Sequence, residues 1–255
     1  MKKILVLLYG ITNYNLGTVA LFYLIAFIFN LFVPISIDSG EAGNVYLSAV
    51  INLGLITLFG LQHSIMARPV FKQWLSNYLP VAAERSTFML ATVIVTFALC
   101  LLWQPMPHII WQADNALLHN TLLAIGLSGW LMVFYATFLI NHFDLFGLRQ
   151  VWLYFVDKEY THLPFRLNSL YRYVRHPIMT GVFIGIWFTP VMTVGHMLLA
   201  LGLSTYIIIG VYHEENDLVK VFGSRYMQYI KSTSKFFPIP GKNKSVDKDI
   251  LTREV

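Results

Sequence analysis

Apolar residues in this chain run in long blocks that no charged side chain interrupts. Asp, Glu, Lys and Arg are absent from 4–37, 45–67, 86–113, 115–143 and 176–213. A helix needs about 20 apolar residues to cross about 30 Å of hydrocarbon, and each block is long enough. The pattern predicts spans near 14–34, 45–66, 87–105 and 117–140. Pro190, with Gly195 beyond it, breaks the last block into two shorter segments, about 177–190 and 195–212, joined by a tight turn. Each arm falls short of about 20 residues, so the pattern leaves open whether the hairpin crosses completely. The expected fold class is all-α: a polytopic helical membrane protein with four spanning helices plus a C-terminal helical hairpin, five to six transmembrane segments in all. Met1-Lys2-Lys3 before an apolar run resembles a secretory signal. The run exceeds the ~7–15 residues of a signal core, and no small-residue cleavage site precedes Pro34, so it reads as a retained first helix.

Composition agrees. Of 255 residues, 56% are hydrophobic and 12% charged, against about 25% charged in a soluble domain. That excludes a disordered chain, a disulfide framework and an ordinary water-soluble enzyme; the single Cys100 has no partner for an internal bridge. A net charge of +5 would suit an acidic partner if the basic residues made one patch on a soluble domain. They are instead sorted by topology. Lys2 and Lys3, then Arg68, Lys72 and Arg85, then Arg149, Lys158, Arg166, Arg172 and Arg175, and finally eight from Lys220 to Arg253 account for all 18. The intervening segments 35–44 and 106–116 carry none, only Asp38, Glu41 and Asp114. Cytoplasmic loops hold the Lys and Arg excess, so both the N- and C-termini are expected to be cytoplasmic. The charge thus reports a lipid bilayer and an orientation, with no nucleic acid implied. Residues 1–240 read as a single integral-membrane domain and 241–255 as a polar, disordered tail.

Polar residues gather at the helix ends of that same side. Gln62-His63-Ser64 closes the second span, Glu84-Arg85 opens the third, and His142, Asp144 and Arg149 follow the fourth. Tyr171-Arg172-Tyr173-Val174-Arg175-His176-Pro177 opens the hairpin, and Glu214-Glu215 closes it. Ionisable groups at membrane depth are costly and usually mark function, so these clusters suggest a shared cavity open to the cytosol. Taken singly, Arg68, Arg85 and Arg175 suit snorkelling to lipid phosphates equally well. His176 before Pro177 also suits a helix start, and Glu214 and Glu215 a solvated helix exit. Gly181 and Gly185 make a small-xxx-small pair for close helix packing. No Rossmann glycine fingerprint, Walker loop, His-Glu-x-x-His or paired-cysteine motif occurs, so neither those nucleotide sites nor a metal is indicated.

Three features occur in order: Tyr-Arg-Tyr-Val-Arg-His-Pro-Ile-Met-Thr-Gly at 171–181, a hydrophobic hairpin, and Glu-Glu-Asn-Asp-Leu-Val-Lys-Val-Phe-Gly-Ser-Arg-Tyr-Met-Gln-Tyr at 214–229. Together they resemble the isoprenylcysteine carboxyl methyltransferase superfamily of integral membrane methyltransferases. Met179 stands where the prenylcysteine enzymes carry Tyr. Leu-Gln-His-Ser-Ile-Met-Ala-Arg-Pro-Val-Phe-Lys at 61–72, Glu-Arg-Ser-Thr at 84–87, Asp-Leu-Phe-Gly-Leu-Arg-Gln at 144–150 and Ile-Asp-Ser-Gly at 37–40 are similar to the bacterial methanethiol S-methyltransferases.

The resemblance implies methyl transfer from S-adenosyl-L-methionine to a small volatile thiol, methanethiol, giving dimethyl sulfide and S-adenosylhomocysteine. It implies a bacterial cytoplasmic membrane, a site facing the cytoplasm and no obligate protein partner. Donor binding falls by motif to Arg175, His176, Glu214, Glu215 and Tyr226, with Tyr171, Tyr173 and Tyr229 suited to packing on adenine or to interfacial anchoring. The acceptor end is expected at His63, Glu84, Arg85, His142, Asp144 and Arg149, with either histidine suited as base by its intrinsic pKa. Two alternatives stand beside this reading. A carboxyl methyltransferase for a lipid-like or prenylated cysteine would share the donor end, and a transporter would need charges within spans or matched broken helices.

Overall fold

The computed structural model describes residues 1–161, 167 and 169–239; the expected tail at 241–255 lies outside the described residues. In chain order the helices are α1 (Lys2–Ile28), α2 (Val45–Met66), α3 (Pro69–Ser76), α4 (Glu84–Leu102) and α5 (Ala116–Ile140), then α6 (His142–Leu145), α7 (Leu148–Phe155), α8 (Pro177–Trp187), α9 (Val194–Phe222) and α10 (Ser224–Ser232). Two short strands, β1 (Ile109–Gln112) and β2 (Val191–Thr193), and two 3₁₀ turns, Val81–Ala83 and Ser169–Arg172, complete the described elements. Helices α1, α2, α4, α5 and α9 are long and apolar enough to cross a bilayer. This is the polytopic helical architecture that the uncharged blocks predict.

Two spans depart from their expected bounds. The first runs from Lys2 to Ile28 rather than over 14–34. Asn13 does not interrupt it, because its buried side chain donates to the Ser86 carbonyl at 3.2 Å. The chain turns beyond Ile28, where Asn30 and Phe32 both take φ near 55°. The hairpin arms are also unequal. Helix α8 has 11 residues, about 16 Å of rise, whereas α9 has 29 and is a full-length span. Charge did not end α9: it continues through His213, Glu214 and Glu215 until Gly223, in left-handed backbone at φ 59°, ends it.

By internal contacts the described chain forms two compact units. The first comprises Met1–Leu123, Phe143–Thr161 and Thr189–Leu203, and the second the remaining described residues, so α5 and α9 contribute to both. In the first unit α4 packs on α1 and α2, and α7 packs on α1. Asn52 and Gln104 exchange hydrogen bonds of 2.8 and 2.9 Å, tying α2 to the end of α4. Strands β1 and β2 pair antiparallel, with Ile109 opposite Thr193 and Gln112 opposite Val191. The Thr193 hydroxyl donates to Asp38 at 2.6 Å and the Asn30 amide to the other Asp38 oxygen at 2.9 Å, which accounts for the Ile-Asp-Ser-Gly segment.

In the second unit α5 and α8 cross at glycines. A Cβ on Gly181 would lie 2.5 Å from the Gly129 carbonyl oxygen, and one on Gly185 would lie 2.5 Å from the Trp130 indole nitrogen. Gly181 therefore meets α5 backbone to backbone, and Gly185 makes room for the Trp130 indole. Phe183, Ile207 and Val211 form the apolar core of this unit, with Met179, Trp187 and Phe236 packed against them.

Candidate active site

A short 3₁₀ turn, Ser169–Arg172, delivers the chain to Arg175 and His176. Pro177 then opens α8, at a position where its missing N–H leaves no bond unmade. Beside this loop runs the segment that follows α10. Val174 pairs with Ser234 in parallel, the Arg175 N–H donates to the Ser234 carbonyl at 2.8 Å, and the His176 N–H donates to the Lys235 carbonyl at 3.1 Å. The Thr180 hydroxyl donates to the Phe236 carbonyl at 2.5 Å. Residues 233–237 thus lie as a strap along the start of α8.

Behind the loop sits a cluster of charge. Arg175, His176 and Glu215 are buried, at 7%, 7% and 8% exposure. Arg175 Nε donates to Glu215 Oε1 at 2.7 Å, and its Nη1 donates to the carbonyls of Ile230, at 3.1 Å, and Thr233. His176 Nε2 lies 3.1 Å from the same Glu215 oxygen. A carboxylate only accepts, so Nε2 is the nitrogen that carries hydrogen. Lys235 Nζ meets Glu215 Oε2 at 2.9 Å. Glu214, half-exposed, places a carboxylate oxygen 3.7 Å from His176 Nδ1. A buried charge is tolerable when paired and hydrogen-bonded, and here each member is.

The cluster forms one wall of a cavity of about 220 Å³. Its polar lining residues are Tyr171, Arg175, His176, Glu214, Tyr226 and Tyr229; its apolar ones are Ile140, Ile178, Met179 and Leu218. Burial, then the Glu215 and Glu214 carboxylates, pushes the Tyr226 hydroxyl above the ordinary phenol range. Burial and Glu214 do the same at Tyr171, and burial with the neighbouring Tyr226 and Tyr171 does so at Tyr229. All three therefore stand as neutral donors; the Tyr229 hydroxyl gives its hydrogen to the Tyr171 carbonyl at 2.5 Å. Of the residues that sequence places at a donor site, Tyr171, Arg175, His176, Glu214, Tyr226 and Tyr229 line this cavity, and Glu215 supports it from behind. Tyr173 is 58% exposed and is not on its wall.

The residues expected at the acceptor end are arranged differently. In the first unit Asp144 accepts from Arg149 Nη1 at 2.9 Å, from Arg85 Nη1 at 3.2 Å and from the Tyr160 hydroxyl at 3.2 Å. Gly147, at φ 88°, makes the turn beside this network, where a Cβ would come within 3.0 Å of the Ser86 backbone nitrogen. Glu84 pairs with Lys72 at 3.0 Å. His63 lies between the rings of Phe59 and Phe88, at 4.4 and 5.1 Å. In the second unit the His142 ring stacks on Phe138 at 4.2 Å, its Nδ1 lies 2.8 Å from the Thr137 hydroxyl, and burial pushes its pKa down, leaving it neutral. Among the described residues that line the cavity, His176 is the one histidine.

Sequence reasoning gave no role to Lys235 or Leu218. Lys235 reaches Glu215 across 20 positions of chain, and no short-range pattern signals such a pairing.

No family model and no solved structure matches the chain. It is 40% identical over 242 residues to a methanethiol S-methyltransferase of Crocosphaera subtropica, covering 95% of each chain. It is also 40% identical over 243 residues to a methanethiol S-methyltransferase of Mycobacterium tuberculosis, covering 95% of this chain and 100% of that one. Against methanethiol S-methyltransferase 1 of Bradyrhizobium diazoefficiens the identity is 41% over 236 residues, covering 92% and 83%. With identity of this order sustained over nearly its whole length, the chain belongs to the methanethiol S-methyltransferase family.

Proposed function

We propose that the chain is an integral membrane enzyme that moves a methyl group from S-adenosyl-L-methionine to methanethiol, releasing dimethyl sulfide, S-adenosylhomocysteine and a proton. The observation that carries this reading is the cavity's mixed lining, with Arg175, His176, Glu214 and three tyrosines beside the apolar Ile140, Ile178, Met179 and Leu218. The polar lining suits the donor chemically. Tyrosine faces stack on adenine and attract a cation, and the half-exposed Glu214 carboxylate complements an ammonium group. At about 220 Å³ the cavity is smaller than the ~300–1,000 Å³ of typical ligand sites, so seating the donor requires it to widen. Arg175 already serves Glu215, Ile230 and Thr233. Its part is to hold the carboxylate and the strap, and a donor carboxylate would compete with those partners.

S-adenosylmethionine supplies an electrophilic methyl group on a sulfonium. Displacement at that carbon is in line, so alignment of donor and acceptor is a large part of catalysis. The apolar lining holds the alkyl thiol and keeps water from its sulfur. An alkyl thiol is mostly protonated at neutral pH and reacts as the thiolate, so a base is needed within reach of its proton. We assign that role to His176, the histidine that lines the cavity: Glu215 holds Nε2–H, which leaves the Nδ1 lone pair to take the thiol proton. The Asp144 network, with Arg85 and Arg149, braces the turn at Gly147. Residues 1–240 act as one methyltransferase domain, with the site on the cytoplasmic side of a bacterial membrane, where the Lys and Arg excess places these loops.

The test is incubation of the purified full chain with S-adenosylmethionine and methanethiol, followed by headspace measurement of dimethyl sulfide. Methyl-ester formation on a prenylcysteine without dimethyl sulfide would overturn the reading. His176→Ala is expected to abolish turnover; turnover that survives there and is lost in His63→Ala or His142→Ala returns the base to those positions.

A further inference from the structure

Glu215 divides its oxygens between two sets of partners. Oε1 takes Arg175 Nε and His176 Nε2, at 2.7 and 3.1 Å, while Oε2 takes Lys235 Nζ at 2.9 Å. A carboxylate held at one oxygen can still swing about its last torsion, whose preference is broad. Held at both, its plane is set, and so is the direction of the His176 ring that bonds to it. Lys235 also grips the same loop through its main chain, because its carbonyl accepts the His176 N–H. Its neighbours continue the grip: Ser234 takes the Arg175 N–H, Phe236 takes the Thr180 hydroxyl, and the Phe236 ring lies 6.1 Å from the His176 ring.

From this geometry we propose that Lys235 is a positioning residue: its ammonium locks the 233–237 strap and the Glu215 carboxylate together, and so holds His176 in its place on the cavity wall. Lys235 reaches no lining position itself and acts through Glu215 and His176. The inference rests on the reading that this cavity takes the methyl donor and that His176 serves the reaction.

The side chain of Lys235 is 36% exposed against 10% for Glu215, so solvent screens its charge and the expected effects are several-fold rather than absolute. The experiment compares the full-length parent with Lys235→Met and Lys235→Arg. It reads amide hydrogen exchange over 174–176 without ligand, the equilibrium affinity for S-adenosylhomocysteine, and kcat and donor KM separately. Lys235→Met is expected to speed exchange at the Arg175 and His176 amides by about threefold to fivefold, and to weaken the affinity and raise the donor KM by a similar factor. Lys235→Arg, which keeps the charge, is expected to return all three to within about twofold of the parent. Parent-like exchange and affinity in Lys235→Met, or a Lys235→Arg variant as impaired as Lys235→Met, would overturn the proposal. If the parent itself neither binds S-adenosylhomocysteine nor forms dimethyl sulfide, the functional reading fails, and amide exchange still decides whether Lys235 locks the strap.

Discussion

Glu215→Gln keeps the shape of the side chain and removes its charge. In the parent, Glu215 is 10% exposed on its side chain and serves Arg175, which is 5% exposed, together with His176 and Lys235. A glutamine can still accept at one atom, but its NH₂ would meet a second donor where the carboxylate met a cation. Hydrogen bonds to charged groups contribute about 1.5–3 kcal/mol each, and stripping one partner from a buried ion pair costs about 3–5 kcal/mol. Arg175 retains the Ile230 and Thr233 carbonyls, so the lower part of that range applies. The expected destabilisation is about 2–4 kcal/mol, about thirtyfold to several hundredfold in the unfolding equilibrium.

The assay is equilibrium unfolding in mixed micelles, followed by circular dichroism and tryptophan fluorescence, with S-adenosylhomocysteine affinity measured separately on folded protein. Glu214→Gln is the comparison, because that carboxylate is half-exposed and stands 3.7 Å from His176 Nδ1. It is expected to change stability by less than about 0.5 kcal/mol while still weakening ligand affinity. A Glu215→Gln variant within about 0.5 kcal/mol of the parent would refute the reasoning, since the buried cluster would then be worth no more than a surface pair.

Met179→Ala removes bulk from the apolar lining of the cavity; the ratio of kcat/KM for propanethiol over methanethiol is expected to rise about tenfold, and an unchanged ratio would place the acceptor elsewhere. Gly181→Ala drives a Cβ to 2.5 Å from the Gly129 carbonyl oxygen and is expected to cost about 1–3 kcal/mol in the same micelle assay, whereas Gly54→Ala, with nothing within 4 Å, is expected to be neutral or slightly stabilising. Alkaline stability follows from Tyr171, Tyr226 and Tyr229, whose folded-state pKa values lie above the ordinary one. From about pH 10 upward the unfolded chain releases protons that the folded chain keeps, so stability is expected to fall by up to about 1.4 kcal/mol per pH unit for each tyrosine; a flat titration between pH 9 and 11.5 would contradict it.

The spans were legible because hydrocarbon tolerates no unpaired charge over its thickness, and five long uncharged blocks have few other readings. Their ends were less legible. The first span was expected to begin at residue 14, yet Asn13 is buried inside α1 with the Ser86 carbonyl as its partner. Glu214 and Glu215 looked like the exit of a short arm, yet α9 continues past them to Phe222. In both cases a polar residue was absorbed by a tertiary partner, which a one-dimensional pattern cannot see. The gathering of Arg175, His176, Glu214 and Tyr226 followed from motif resemblance, and the structure adds what spacing could not carry. The two oxygens of Glu215 have separate partners, Lys235 belongs with them, and His63 and His142 are packed against phenylalanines while His176 lines the cavity.

Those particulars also separate two meanings of a basic residue near a membrane surface. The positive-inside rule counts Lys and Arg in short loops whether or not they are paired, so Arg85, Arg149 and Arg175 contribute equally to orientation. Snorkelling requires more, namely a head group that reaches water or lipid phosphate. The Arg175 side chain is 5% exposed and its donors go to Glu215, Ile230 and Thr233, so it does not snorkel. Arg85 is 38% exposed and gives Nη1 to Asp144, which leaves it an edge on solvent. Charge count therefore yields an expected topology, whereas burial with a committed partner marks the charge that shapes a cavity. By that criterion Arg175 with Glu215, rather than Arg85 with Asp144, is the pair around which the proposed chemistry is built.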